Sequence, residues 1–192
     1  MVRSYLLCGV GGQGTVLASR LIAAAAMEKG SNVRTAETIG MAQRGGCVVS
    51  HVRTGEEIHS PLIPLGGADV IIGFEPAEAV RCLSYLKPEG MVIVNSKAIK
   101  PVTSTLGGAP YTGDEMLDYL KKNINNLRVI DGEAVCAACG SSKVLNIALL
   151  ALAAKAGCLD ISVDELKGVL KRMVNPKFLE MNLRAVDMAC GL

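Results

Sequence analysis

The chain has 192 residues, of which half are hydrophobic, 3% are aromatic and none is tryptophan. This length and apolar content are typical of a single globular domain with a substantial core, so we expect residues 1–192 to form one domain. The net charge of +2, the absence of long runs of like charge and the scarcity of aromatic side chains exclude the usual surfaces that bind nucleic acid or membranes.

The chain begins with a predicted strand, a glycine-rich turn and a helix. An apolar run from Tyr5 leads into Gly9-Val10-Gly11-Gly12-Gln13-Gly14, and a helical pattern extends from Thr15 to Met27. Backbone N–H groups in such a turn and the positive end of the helix dipole favour phosphate, diphosphate or carboxylate. We therefore predict that this turn binds a cofactor through Gly9, Gly11, Gly12, Gln13 and Gly14. The alternative is a tight turn that needs glycine for its geometry and binds nothing.

The same turn also fits the dinucleotide spacing G-x-G-x-x-G, through Gly9, Gly11 and Gly14. Glu37 lies near the end of the next predicted strand, where a carboxylate that binds ribose belongs. This pattern keeps a second function open, namely a stand-alone nucleotide-binding oxidoreductase domain.

The segment from Thr38 to Pro64 lacks a helical period, which predicts a β-hairpin or an edge strand. It contains Gly40-Met41-Ala42-Gln43-Arg44-Gly45-Gly46, and an arginine between glycines can form paired hydrogen bonds with carboxylate or phosphate. On the following strand, His51 and Arg53 share one face. We predict that substrate or a partner contacts Gln43, Arg44, Gly45, Gly46, His51 and Arg53. The alternative is a solvent-exposed hairpin.

Apolar runs of strand length alternate with helical segments along much of the chain. We predict strands at Tyr5–Val10, Cys47–Val52, Val70–Phe74, Met91–Val94 and Leu127–Ile130. A helix is expected to begin near Pro76 and to end at Lys87-Pro88-Glu89-Gly90. The alternation predicts an α/β fold of three α/β/α layers, with a mostly parallel central sheet and a β-hairpin excursion.

The chain after Ser141 has a helical pattern. We predict one helix from Lys143 to Ala156, a second that begins at the capping box Ser162-Val163-Asp164-Glu165, and a third from Pro176 to Ala189. The fold is therefore expected to have a helical C-terminal part.

The seven cysteines are scattered, and the first residues lack the apolar core of a signal peptide, which predicts a reducing, cytoplasmic setting. Cys136 and Cys139 form a C-x-x-C pair that we interpret as two small buried thiols, with a redox pair as the alternative. Neither these thiols nor His51 and His59 have the spacing of an iron–sulfur or zinc site, so we expect no metal in this chain.

Together, the turn from Gly9 to Gly14 and the segment from Gly40 to Arg53 resemble the gamma-subunit family of the 2-oxoacid:ferredoxin oxidoreductases. The G-M-A-Q-R-G-G sequence is most similar to the indolepyruvate-type members. The resemblance extends through Asn146 to Asn175-Pro176-Lys177 and Asn182-Leu183, and so covers essentially the whole chain. Ile39 stands where indolepyruvate-type sequences are expected to have histidine, which leaves phenylpyruvate or a general aryl 2-oxoacid open as the substrate.

The resemblance implies a small subunit for the oxidative decarboxylation of a 2-oxoacid to an acyl-CoA, with electrons passing to ferredoxin. Its implied partner is a large catalytic subunit that holds thiamine diphosphate, magnesium and iron–sulfur clusters, with coenzyme A as co-substrate. Gly113-Asp114-Glu115 and Asn125-Asn126 lack the second glycine and the spacing of the family's thiamine motif. The isolated chain is therefore expected to be inactive, with no cofactor of its own, and a homodimer is possible. A third hypothesis is that the chain is a purely structural interaction subunit.

Overall fold

A six-stranded mixed sheet forms the centre of the structure. The computed structural model describes residues 1–39, 46–100 and 111–191. Its strands are β1 (Arg3–Val10), β2 (Asn32–Ile39), β3 (Cys47–Gly55), β4 (Ala68–Gly73), β5 (Leu86–Asn95) and β6 (Leu127–Ile130), in the spatial order β2-β3-β1-β4-β5-β6. Pairs β1/β4, β4/β5 and β5/β6 are parallel, whereas β3 runs antiparallel to both of its neighbours.

Helices cover both faces of this sheet, which confirms the predicted three-layer α/β fold. They are α1 (Thr15–Glu28), α2 (Pro76–Arg81), α3 (Asp114–Asn123), α4 (Gly132–Cys139), α5 (Leu145–Lys155), α6 (Val163–Met173) and α7 (Pro176–Cys190), with short 3-10 turns at Leu83–Tyr85 and Ser142–Val144. No helix within the described ranges is long and apolar enough to cross a membrane.

Side chains that alternate along β1 pack against different helices on the two faces of the sheet. Tyr5 and Leu7 face one way and pack with α1, α5, α6 and α7. Leu6 and Cys8 face the other way and pack with α2 and α3. Because successive residues of a strand point to opposite faces, one continuous apolar run supplies both cores.

The predicted hairpin and C-terminal helices are confirmed, and one predicted helix end is wrong. Strand β3 lies between β2 and β1, so β2 occupies the edge. Lys87-Pro88-Glu89-Gly90 does not end a helix, because α2 ends at Arg81 and β5 already begins at Leu86. Pro88 is tolerated there because the register between β4 and β5 shifts at this point, so its missing N–H does not interrupt the regular ladder from Met91 to Val94.

Candidate functional site

A cavity of 630 Å³ lies beyond the carboxyl ends of β1, β5 and β6. Strands β1 and β4 are neighbours, but the helices that follow them, α1 and α2, pack on opposite faces of the sheet. Such a reversal opens a crevice at the carboxyl ends of the strands, where α/β proteins bind ligands. The lining residues are Gly11, Gly12, Gln13, Asn95, Lys97, Ile99, Gly132, Glu133, Cys136, Ala137, Gly140, Ser141, Ser142 and Leu145.

The glycine turn forms one wall of this cavity. Gly12 and Gly14 have positive φ angles of 98° and 86°, which glycine adopts at little cost. Gly14 is the N-cap residue of α1, and no side chain of the described residues caps it. The first turn of α1 also carries no acidic residue. The N-terminus of α1 therefore keeps backbone donors and a positive dipole end available beside the cavity.

Packing explains two of the predicted cofactor-binding glycines. A Cβ atom at Gly9 would lie 2.7 Å from Gln13 Oε1 and 2.8 Å from Phe74 Cβ. A Cβ atom at Gly14 would lie 2.8 Å from Asn146 Nδ2. The requirement for glycine at both positions therefore follows from close packing within the chain, whether or not a ligand binds.

The Gln13 side chain joins two strand ends. Its Oε1 accepts a hydrogen bond from the Val10 backbone N–H at 2.8 Å, and its Nε2 donates to the Phe74 carbonyl at 3.0 Å. Both ends of the amide are thus engaged within the chain. The Gln13 backbone N–H also donates to the Val10 carbonyl at 3.3 Å, so Gln13 holds the turn against β4 rather than offering a free donor.

Asn95 continues this network into the opposite wall. It is 2% exposed, its Nδ2 donates to the Phe74 carbonyl at 3.2 Å, and its Oδ1 accepts from the Gly132 N–H at 3.1 Å. Asn95 therefore fixes the first residue of α4 relative to β4 and the glycine turn. The sequence signal for this residue is the polar group that directly follows an apolar strand, Asn95-Ser96-Lys97.

The remaining wall is formed by α4 and carries opposite charges. Lys97 and Glu133 form an exposed ion pair beside the cavity. The N-terminus of α4 is already capped, because the Asp131 carboxylate accepts from the Ala134 N–H at 3.0 Å. Among the described residues, no group of three or more histidine, cysteine, aspartate or glutamate side chains is placed to hold a metal ion.

The predicted partner-facing residues do not all gather at this cavity. Gln43, Arg44 and Gly45 lie outside the described residues. Gly46 lies beside the turn, because its carbonyl accepts from the Gly11 N–H at 2.9 Å. The strand that follows runs away from the turn, so residues further along it lie progressively farther from the cavity.

His51 and Arg53 illustrate this separation. His51 pairs with Leu6 in mid-sheet, is 5% exposed, and its Nδ1 accepts from the Ile63 N–H at 3.2 Å. Arg53 pairs with Ser4 at the far end of β1 and donates to the Ser60 carbonyl at 2.9 Å. Strand alternation correctly puts these two side chains on one face, but it does not bring them to the glycine turn.

Burial of His51 has a measurable consequence for stability. Burial lowers the pKa of its imidazole, so below an unfolded-state pKa of about 6.5 the unfolded chain binds a proton that the folded chain does not. We expect the free energy of unfolding to fall by up to about 1 kcal/mol from this group between about pH 6.5 and pH 5.5, and His51→Gln to remove that part of the decrease. Chemical denaturation at both pH values measures it. The exposed His59 provides the control His59→Gln, and an unchanged slope in His51→Gln would contradict the assignment.

The fold does not place Glu37 where a dinucleotide-binding domain needs its ribose-binding carboxylate. Antiparallel β3 lies between β2 and β1. Glu37 on β2 is therefore two strand spacings, or about 10 Å, from β1, instead of the one spacing of directly neighbouring strands. Glu37 pairs with Ser50, which pairs with Leu7, so it also lies below the level of the turn. Its carboxylate accepts from Ser19 Oγ at 3.3 Å. The glycine turn is present without the carboxylate that would hold a ribose.

Comparison with known proteins agrees with this architecture. The family profile described as "Pyruvate ferredoxin/flavodoxin oxidoreductase" matches residues 4–192. The chain is 36% identical over 187 residues to indolepyruvate oxidoreductase subunit IorB of Thermococcus kodakarensis, covering 96% of this chain and 93% of that one. It is 38% identical over 186 residues to the subunit of the same name from Archaeoglobus fulgidus, covering 96% and 92%.

Solved structures share the fold. Pyruvate oxidoreductase subunit PORC of Thermotoga maritima superposes with a TM-score of 0.70 at 20% identity, covering 99% of this chain and 96% of that one. A chain of 2-oxoglutarate:ferredoxin oxidoreductase from Magnetococcus marinus gives a TM-score of 0.73 at 19% identity, covering 99% of this chain and 30% of that one. The resemblance based on the Gly9–Gly14 turn and the Gly40–Arg53 segment is thus confirmed, and the chain belongs to the pyruvate ferredoxin/flavodoxin oxidoreductase family.

Proposed function

We propose that the chain is the small subunit of a thiamine-dependent oxidoreductase that transfers electrons from indolepyruvate or another aryl pyruvate to ferredoxin. Relatives that match over almost their whole length are subunits of indolepyruvate oxidoreductases. The observation that carries the proposal is the cavity between the open N-terminus of α1 and the wall of α4. In the complex, which we expect to be cytoplasmic, this cavity completes the active-site cleft of a large subunit.

Coenzyme A is the ligand that we propose for the cavity. A volume of 630 Å³ lies within the usual range of about 300–1,000 Å³ for small-molecule sites. The backbone N–H groups of Gly12 and Gly14 beside the start of α1 suit a diphosphate, because this helix end has no acidic residue in its first turn. Lys97 adds a cation that a phosphate can draw away from Glu133. When bound, coenzyme A supplies the thiol that accepts the acyl group.

The proposed substrate-facing group is Arg44 with Gln43 and the flanking glycines. Arg44 comes two residues before Gly46 in the sequence, and the Gly46 carbonyl accepts a hydrogen bond from the Gly11 N–H in the glycine turn. A guanidinium there is suited to the carboxylate of a 2-oxoacid or to a phosphate of coenzyme A. His51 and Arg53 are not part of this proposal, because their side chains are engaged elsewhere in the sheet.

The partner that we propose is a large subunit that holds thiamine diphosphate, magnesium and iron–sulfur clusters, with ferredoxin reached through it. Apolar side chains at the cavity end of the molecule suit such a contact. Leu17 in the first turn of α1 is 40% exposed, and Ile99 in the cavity lining is 38% exposed. Burying such side chains against a partner is favourable, and the isolated chain has the option of covering them by self-association.

Replacing Arg44 with alanine tests the substrate-facing role. We expect kcat/KM of the reconstituted oxidoreductase to fall about 10- to 100-fold, because a hydrogen bond to a charged group is worth about 1.5–3 kcal/mol and each 1.4 kcal/mol is a factor of ten. Steady-state ferredoxin reduction with an aryl pyruvate measures the effect, and circular dichroism checks that the chain remains folded.

The matched control for this variant is Arg34→Ala. Arg34 is an exposed arginine near the start of β2, at the other end of that strand from the sequence segment that contains Arg44. We expect Arg34→Ala to retain wild-type kcat/KM. If Arg44→Ala also retained it, the assignment of Arg44 to substrate or acyl carrier would be wrong.

A further inference from the structure

Two thiols lie on α4 at the wall of the cavity. Cys136 lines the cavity together with Ala137 and Gly140, and Cys139 is the last residue of the helix. Both cysteines are half-buried, which corrects the expectation of two buried thiols. By contrast, Cys8, Cys82, Cys158 and Cys190 are buried. The C-x-x-C pair is therefore accessible, and its first member faces the space where a ligand fits.

The spacing of the two cysteines suits a disulfide. Residues three apart in an α-helix have Cα atoms about 5 Å apart, within the usual disulfide range of about 4.4–6.8 Å. Their Cβ atoms are about 5–6 Å apart, whereas a disulfide needs about 3.5–4.5 Å. Closure therefore requires the last helical turn to tighten by about 1–2 Å.

The surroundings of the end of α4 leave space for this movement. Gly140 follows Cys139 in the left-handed conformation, with φ 72°, and a Cβ atom placed there would meet no atom of the described residues within 4 Å. Cys139 itself contacts Met188, with Sγ 3.9 Å from Sδ, and a thioether is a flexible neighbour. A helix end next to open space tightens at lower cost than a helix centre, where both neighbouring turns resist.

The charges around Cys136 set how readily it reacts. Burial raises the pKa of its thiol and the neighbouring Cys139 raises it further, while Lys97 opposes both effects. Glu133 also raises this pKa. Since the thiolate is the nucleophile, Cys136 reacts slowly near neutral pH and faster in mildly alkaline solution.

We propose that Cys136 and Cys139 are a reversible dithiol–disulfide pair in the cavity wall, oxidised by low-molecular-weight disulfides that enter the cavity. The Cys136 thiolate attacks one sulfur of the disulfide RSSR, forming a mixed disulfide and releasing one RS⁻. The Cys139 thiolate then attacks Cys136 Sγ, forms the Cys136–Cys139 bond and releases the second RS⁻. The two protons from the cysteines end on the two RSH products, and the two electrons reduce RSSR. This chemistry does not depend on coenzyme A being the ligand of the cavity.

Thiol mapping of the reduced 192-residue chain tests the pair. The chain is incubated without oxygen at about pH 8 with glutathione disulfide, quenched in acid, alkylated with N-ethylmaleimide and analysed by peptide mass spectrometry. We expect a disulfide between Cys136 and Cys139 in the wild type, and its loss when excess reduced glutathione is added. Cys47 is the internal control. It is half-buried like Cys136, but burial and Glu78 raise its pKa to about 12, so we expect its thiol to stay free during the incubation and then to be alkylated by N-ethylmaleimide.

Variants assign the order of attack. In Cys139→Ser, the glutathione adduct on Cys136 should persist, because the resolving thiol is gone. In Cys136→Ser, the adduct on Cys139 should form more slowly, because Cys139 is not in the cavity lining. The proposal is overturned if Cys136 and Cys139 of the wild type stay free thiols under these conditions and are both alkylated afterwards. It is also overturned if Cys139→Ser forms no glutathione adduct on Cys136. The wild-type measurement stands without either variant, so a folding defect in one of them leaves the test intact.

Discussion

Replacing Gly14 with alanine is expected to lower the free energy of unfolding by about 3 kcal/mol. The left-handed conformation, with φ 86°, costs a residue with a Cβ atom about 1–2 kcal/mol. The new Cβ atom would also lie 2.8 Å from Nδ2 of Asn146, which is 2% exposed and cannot move into solvent. Such overpacking costs about 1–3 kcal/mol. Chemical denaturation measures the total.

The control for this variant is Gly30→Ala. Gly30 also has a positive φ, 78°, but it is exposed, and an added Cβ atom would meet no atom of the described residues within 4 Å. This variant should lose only the strain of about 1–2 kcal/mol. The double variant Gly14→Ala/Asn146→Ala should recover the part that is due to the collision. Equal losses in Gly14→Ala and Gly30→Ala would show that Asn146 does not pack against the turn.

Replacing Asn95 with alanine is expected to cost about 2 kcal/mol of stability and to reduce turnover of the reconstituted oxidoreductase. The variant leaves the buried Gly132 N–H without its acceptor, and an unsatisfied buried donor costs about 1–3 kcal/mol. The Phe74 carbonyl keeps its bond from Gln13, so its loss is smaller. Since Asn95 joins the two walls of the cavity, turnover should fall even at temperatures where the variant is folded. Thermal unfolding and ferredoxin reduction are measured on the same preparation.

Asn32→Ala is the matched control for Asn95. Asn32 also donates from its side-chain amide to a backbone carbonyl, that of Glu56 at 2.6 Å, but it is exposed, so water replaces the lost bond. We expect a loss below about 1 kcal/mol and unchanged turnover. If Asn95→Ala behaved like Asn32→Ala, the network between the cavity walls would be unimportant.

The parts of the fold that periodicity and local chemistry determine were predicted from the sequence. The strands at Tyr5, Val70 and Leu127 and the capping box at Ser162 need only local patterns, and all four are present. The start of β5 at Leu86 was missed because Pro88 and Gly90 are typical of turns, and only pairing with β4 makes that segment a strand. The insertion of β3 between β2 and β1 is likewise a long-range pairing that no local pattern records.

The candidate site was predicted only where it is contiguous in the sequence. The glycine turn was found because strand, turn and helix follow one another. Asn95, Gly132 and Cys136 share the cavity with it only after β4, β5 and β6 have aligned in parallel on one side of β1, so their common location depends on sheet order. Conversely, His51 lies close to Gly46 in sequence, but it is far from the cavity because an extended strand moves about 3.3 Å per residue.

The measurement that tests the central claim most directly is co-purification of this chain from its native host, followed by reconstitution. The account predicts that the chain elutes in stoichiometric amount with a larger protein that contains iron–sulfur clusters and thiamine. It also predicts that removing the chain abolishes aryl-pyruvate-dependent ferredoxin reduction and that adding it back restores the activity. A chain that elutes alone, and whose addition changes no such activity, would contradict the claim that it is a subunit of an oxidoreductase.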